Sequence, residues 1–227
     1  MEECLICQER LEYLPEDVMM ECAICRKREL SKTRCVRGHY VCSDCHTQGM
    51  DSIFGLCLGE TSQNPLHILE KMMAMPFCHM HGPEHHVLVG ASVLVAFHNA
   101  GGKLDLQRAL LEMQRRGRQV PGGICGLWGS CGAAGSTGIC LSIITGSSPL
   151  STETWGWGNE MPSRVRARAA KIGGPRCCKR IGRIAVLEAI DFIREKFGVE
   201  LEKSEDVACA WIGQNNQCIM ERCPFYR

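Results

Sequence analysis

Four pairs of metal-ligating side chains stand within the first 45 residues, and they limit how this end of the chain can fold. Cys4 and Cys7, Cys22 and Cys25, and Cys42 and Cys45 each enclose two residues, and Cys35 is followed at short range by His39. Two thiolates at this spacing fit one tight turn, so both sulfurs reach a single tetrahedral ion at about 2.3 Å. Four pairs make two sites, and residues 1–47 read as a module holding two zinc ions. The pairs can combine in two orders. Interleaved, Cys22, Cys25, Cys42 and Cys45 hold one ion, and Cys4, Cys7, Cys35 and His39 hold the other. Sequential, Cys4, Cys7, Cys22 and Cys25 come first, then Cys35, His39, Cys42 and Cys45. The interleaved order is favoured, because the sequential one crowds its second set of ligands into a very short segment.

The chain has 227 residues and a net charge of +1, and 45% of it is hydrophobic, enough for a small module plus one domain with a core. Its 17 cysteines are the departure from ordinary composition. Residues 1–20 carry acids and no apolar segment of the kind that opens a secretory signal, so a cytoplasmic location is expected. There thiols stay reduced, and many cysteines point to metal or catalysis rather than to disulfides. The longest apolar stretch, Val87 to Phe97, is too short to cross a bilayer.

The rest reads as mainly α. Residues 48–64 are a connector, and 65–227 a helical, cysteine-rich domain. Pro65 to Met75 suggests a short helix capped by Asn64. Glu84 to Asn99 is apolar on nearly all sides, as a buried helix is. Asp105 caps a third helix, and Pro162 to Ile172 and Arg180 to Phe197 give two more. Val120 to Ser148 is rich in glycine and serine and reads as a loop whose backbone N–H groups can approach a ligand. Its end, Ser142 to Thr145, could begin a helix or a strand.

Three constellations could carry chemistry. The tail holds Cys209, Cys218 and Cys223, the last followed by Pro224, a recurring ending of iron–sulfur ligand runs. A 4Fe–4S cluster is expected there, with Cys177 or Cys178 as a further ligand; a third zinc site or free thiols are the alternatives. The second comprises Cys125, Cys131 and Cys140 in the glycine-rich loop, with Cys78, His79, His81, Glu84, His85 and His86 upstream. A thiol near a helix N-terminus can become a nucleophile, imidazoles move protons, and Glu84 could fix a histidine tautomer. The third is basic. Arg164, Arg168, Arg176 and Arg180 could hold a small anionic substrate, compensate a cluster's charge, or simply solvate a surface. Arg26, Lys27, Arg28, Lys32, Arg34 and Arg37 in the zinc module either offset thiolate charge or offer a face for RNA.

The segment from Cys22 to Cys45 resembles most of a RING-type, treble-clef finger whose last cysteine pair comes from the N-terminus. The Cys4–Cys45 run, His81 to His86, the Gly122–Ser148 loop, Gly173 to Arg180 and the Cys209–Pro224 tail together resemble a family of cysteine-rich proteins of unknown function. That family belongs mainly to anaerobic bacteria and archaea and is sometimes fused to a methyltransferase domain. The resemblance implies an anaerobic host and metal dependence. The glycine-rich loop is also similar to that of iron–sulfur serine dehydratases and cysteine desulfidases, where three cysteines hold a 4Fe–4S cluster with an open iron. Two functions follow as expectations. One is an enzyme doing iron–sulfur lyase or sulfur-transfer chemistry on a small anionic substrate. The other is a zinc-stabilised module that binds RNA or protein, its cysteines structural.

Overall fold

A computed structural model describes residues 4–7, 9–47, 49–204 and 206–227; residues 1–3, which open the span read as the zinc module, lie outside the described residues. The N-terminal module is an antiparallel hairpin, β1 (Leu11–Glu21) with β2 (Arg28–Cys35), followed by a single helical turn, α1 (Ser43–His46). The sequence reading assigned no strands here. The register shifts between Tyr13 and Val18, around Pro15, which has no N–H to give to the ladder. The knuckle Cys22–Cys25 closes the hairpin, and Arg26 takes a positive φ of 64° so that its N–H reaches Cys22 O at 3.0 Å.

The remainder is helical. Within the stretch read as a connector lies α2 (Ser52–Gly59), which buries Ile53 and Cys57 against the core. Next comes α3 (Pro65–Met73), whose cap Asn64 accepts from Leu66 N and His67 N at 3.0 and 3.2 Å. At the centre is α4 (His85–Asn99), buried from His85 to Phe97. Helix α5 (Leu106–Gly117) is capped by Asp105, which accepts from Arg108 N at 3.1 Å.

Two expectations need correcting. The glycine-rich segment is not a loop throughout: it forms a short turn, α6 (Ile124–Leu127), and a full helix, α7 (Gly132–Thr145). Its small residues serve close packing. Ser136 accepts a hydrogen bond from Gly90 N at 2.9 Å across the contact between α7 and α4. Helix α8 (Glu153–Ile172) begins well before Pro162, which sits inside it and buried. A proline ring inside a helix clashes with the carbonyl four residues earlier, which here belongs to Gly158. That carbonyl faces Gly138 of α7, where a Cβ would lie 2.8 Å from Gly158 O. The last helix, α9 (Cys178–Phe197), packs against α3, α4, α7 and α8. The tail from Leu201 is joined to the domain by Glu202 N donating to Gln63 O at 3.0 Å, and it closes on itself through Cys209 N donating to Phe225 O at 2.8 Å. No helix among the described residues is long and apolar enough to cross a membrane.

Candidate metal centres

The zinc-type ligands gather in the interleaved order. Cys4, Cys7, Cys35 and His39 form one quartet and Cys22, Cys25, Cys42 and Cys45 the other, each with its ligand atoms within 4.8 Å of one another. In the first, Cys7 Sγ is 3.5 Å from Cys35 Sγ and 3.2 Å from His39 Nδ1, and Cys4 Sγ is 3.7 Å from the same nitrogen. In the second, Cys25 Sγ and Cys42 Sγ are 3.6 Å apart. Four sulfurs held at about 2.3 Å around a tetrahedral ion are separated by ~3.8 Å, so both quartets fit a metal ion, as zinc sites do. Backbone N–H groups also point at the sulfurs: Ile6 N to Cys4, Arg37 N to Cys35 and Cys42 N to Cys22, at 3.3–3.4 Å. Such donors stabilise thiolate over thiol. The basic residues nearby are largely met by acids: Arg26 and Arg28 by Glu21, Arg34 by Glu12, and Lys27 by Glu29 and Asp44.

In the helical domain, Cys177, Cys209, Cys218 and Cys223 line one cavity. No three of these sulfurs draw together within the 4.8 Å that marks the N-terminal quartets. Of the two adjacent cysteines, it is Cys177 that faces this cavity. It is the N-cap of α9, and its sulfur accepts from Arg180 N at 3.3 Å and from Asn215 Nδ2 at 3.7 Å. Arg183 Nη1 donates to Cys209 Sγ at 3.7 Å. Around the cavity lie cations that are almost never buried without an anion: Arg180 is 3% exposed and Arg183 1%, with Lys179 at 1% behind them. Arg183 is paired with Glu70 at 2.6 Å. Lys179 donates to Met73 O at 3.1 Å and lies over the Trp211 ring. Arg180 donates to Gly173 O and Pro175 O, and its Nε is buried without a hydrogen-bond partner.

The second constellation divides. His81 turns toward Asn215 at the cavity wall, and burial lowers its pKa to about 4, against the hydrogen bond it gives to Asn215. His85 is wholly buried and lowered to about 3, again by burial first. Its Nδ1 is 3.2 Å from Gly82 O, which it serves as donor, and its Nε2 is 3.7 Å from Cys78 Sγ. Glu84, 0% exposed, is not chiefly a partner of His85, whose ring lies at 3.8 Å; it lies closer to His46 and His79. The sequence reading missed His46, which has no spacing signal of its own beyond standing next to Cys45.

Cys131 caps α7, and Cys125 lies on α6 before it. Burial and the neighbouring Cys131 push the Cys125 thiol up, the direction opposite to the activation expected for it. Cys178 belongs to this neighbourhood rather than to the cavity: burial pushes it up to about 12, with Cys131 adding to the rise and Arg176 opposing it. Tyr13 of the hairpin covers this group. Its phenol is pushed up to about 12 by burial and by Cys125 and Cys178, and Arg176 stacks on its ring at 6.0 Å. Arg164 and Arg168 stand apart in surface ion pairs, Arg164 with Glu160 and Glu195, Arg168 with Glu188.

No curated protein and no solved structure matches the chain. A family model does. Its match spans residues 53–226, from α2 through the last cysteine of the cavity, and leaves out both N-terminal quartets. The chain therefore belongs to the family of unknown function DUF5714.

Proposed function

We propose that this is a metal-dependent redox protein. The N-terminal module holds two structural zinc ions, and Cys177, Cys209, Cys218 and Cys223 hold a 4Fe–4S cluster in the helical domain. The observation that carries the reading is the charge around the cavity. Lys179, Arg180 and Arg183 are all buried, and Glu70 is the carboxylate paired with this group. Buried charge without a partner costs several kcal/mol per ion. Four thiolates on a cluster supply the missing negative charge where the cations sit. Their spread suits a cluster as well, since a cubane sets an iron beneath each sulfur and a single ion needs them closer. The Cys223-Pro224 ending agrees.

When bound, such a cluster supplies one-electron chemistry. With a cysteine for every iron, electron delivery is favoured over the open-iron lyase reading, which needs an iron free of cysteine. The N–H donors from Arg180, Asn215 and Arg183 to the sulfurs stabilise the more negative, reduced state. Cys125 and Cys178 lie near Cys131 but are pushed toward the thiol form, which disfavours a sulfur-transfer role for them.

Anaerobic purification followed by iron, sulfide and zinc analysis tests the proposal. The full chain should carry about four irons and four sulfides beside its zinc. Cys177→Ser, Cys209→Ser, Cys218→Ser and Cys223→Ser should each lose most of the iron, while Cys178→Ser keeps it. Iron content unchanged in all four variants, or lost equally in Cys178→Ser, refutes the assignment.

A further inference from the structure

We propose a third metal centre, distinct from the zinc quartets and the cysteine cavity: His46, His79 and Glu84 bind one divalent first-row cation, Zn²⁺ or Fe²⁺, with a position left for water or an anionic oxygen donor. His46 ends α1 in the N-terminal module. His79 and Glu84 flank the turn that leads into α4. Their ligand atoms lie within 4.8 Å of one another. His46 Nδ1 is 3.3 Å from Glu84 Oε2, and His79 Nδ1 is 3.4 Å from Glu84 Oε1. The two imidazole rings meet edge to face with centroids 4.5 Å apart.

The buried polar atoms decide between an ion and a plain hydrogen-bond network. His46 Nδ1, His79 Nδ1 and Glu84 Oε2 are all buried, and none has a hydrogen-bond partner. Buried polar atoms are nearly always satisfied, and three orphans converging on one point call for a shared partner. A charge-assisted N–H···O bond would close to about 2.8 Å; these pairs stay at 3.3 and 3.4 Å. Nitrogen and oxygen each held at about 2.1 Å from a tetrahedral ion lie ~3.4 Å apart, which is close to the separation of His46 Nδ1 from Glu84 Oε2. The other carboxylate oxygen, Oε1, is the one beside His79: it stands 3.4 Å from His79 Nδ1 and accepts from His79 N at 2.9 Å, which orients the group. Gly82 completes the cradle, since a Cβ there would overlap Glu84 Oε2.

A second grouping, Cys78, Glu84 and His85, shares the carboxylate. It is already satisfied without an ion. Lys179 Nζ donates to Cys78 Sγ at 3.6 Å, and an ammonium group there repels a cation. The centre is therefore mononuclear. Two histidines and one carboxylate with open positions are a ligand set of catalytic zinc and non-haem ferrous sites, where the ion acts as a Lewis acid or activates water. The side chain of His79 is 32% exposed, so solvent reaches this edge.

The test compares metal content in the full-length protein, purified anaerobically, with that of His79→Ala and Glu84→Gln. His79 is partly exposed, and its variant should fold; far-UV circular dichroism checks both. Each variant should bind about one metal ion fewer per chain than the wild type, with the sulfide content unchanged. Whether the missing ion is zinc or iron identifies the cation. Cobalt loading gives an independent readout, because an ion on nitrogen and oxygen lacks the thiolate charge-transfer band of the cysteine sites. The cobalt lost in His79→Ala should leave that band at full intensity. Equal metal content in the wild type and a folded His79→Ala, or loss of the thiolate band together with the ion, overturns the proposal.

Discussion

His81 and His85 are imidazoles held neutral by their surroundings, and this has a cost that pH exposes. Burial lowers their pKa values to about 4 and about 3. In the unfolded chain both return to about 6.5. Between these values the unfolded state binds protons that the folded state refuses, so stability rises with pH there. The full contribution is present above about pH 6.5 and is lost as the pH falls toward 4. For His81 alone, the loss between pH 7 and 5 should be about 2 kcal/mol, at ~1.4 kcal/mol per pH unit below 6.5. Urea unfolding of the wild type and His81→Gln at pH 7.5, 6 and 5 measures it, since loss of metal at low pH affects both chains alike. The stability of the wild type relative to His81→Gln should fall by about 2 kcal/mol from the highest to the lowest pH. Parallel profiles would show that His81 is not a buried neutral imidazole.

At the scale of elements, the contact between α7 and α8 depends on single atoms. Gly138 faces a backbone carbonyl and the Pro162 ring, each at 2.8 Å from where its Cβ would be, while Gly135 on the same helix has nothing within 4 Å. The same substitution should therefore act in opposite directions. Gly138→Ala forces two helices apart and should cost about 1–3 kcal/mol. Gly135→Ala gains helix propensity and should stabilise by roughly 0.5–1 kcal/mol. Thermal or urea midpoints of the two variants decide it, and effects of the same sign would mean that the α7–α8 contact yields to a methyl group at position 138. This contact also explains why α7 was hidden in the sequence. Glycines at 132, 135 and 138 read as a loop because propensity counts each residue alone, whereas the helix forms where small residues let α4 and α8 come close. Pro162 misled in the same way: as a start signal it placed the helix too late, because a glycine partner across the interface accommodates the displaced carbonyl. By contrast Asn64-Pro65 and Asp105 were legible as caps, since a cap is a local hydrogen bond.

Across the whole molecule, local and distant information separate again. The two quartets were readable because each ligand pair is closed by one turn, and only the order of pairing needed three dimensions. Cys177 and Cys178 could not be told apart in sequence; the N-terminus of α9 turns one toward the cavity and the other toward Cys131. His46 ends α1 of the N-terminal module and Glu84 immediately precedes α4, and no spacing links them. The module itself has little apolar core. Its buried cluster is Cys22, Cys42 and Cys45 with Tyr40 and Val41 against it, and Met19 and Leu30 of the hairpin stand exposed. Metal binding must then supply its folding energy, which for structural zinc sites is about 10–16 kcal/mol. The helical domain has a continuous core of its own around α4. Removing zinc should accordingly unfold one part and leave the other. With Cys22→Ser, or after zinc is stripped by a thiol-reactive mercurial and chelator, protease should cut rapidly between Leu5 and Cys45. The fragment from Ile53 onward should stay resistant and keep most of its helical circular dichroism. Simultaneous loss of both parts would mean that the docking of Tyr13 and His46 onto the helices fuses them into one cooperative unit. An N-terminal segment still protected without zinc would mean that the quartets do not hold the module together.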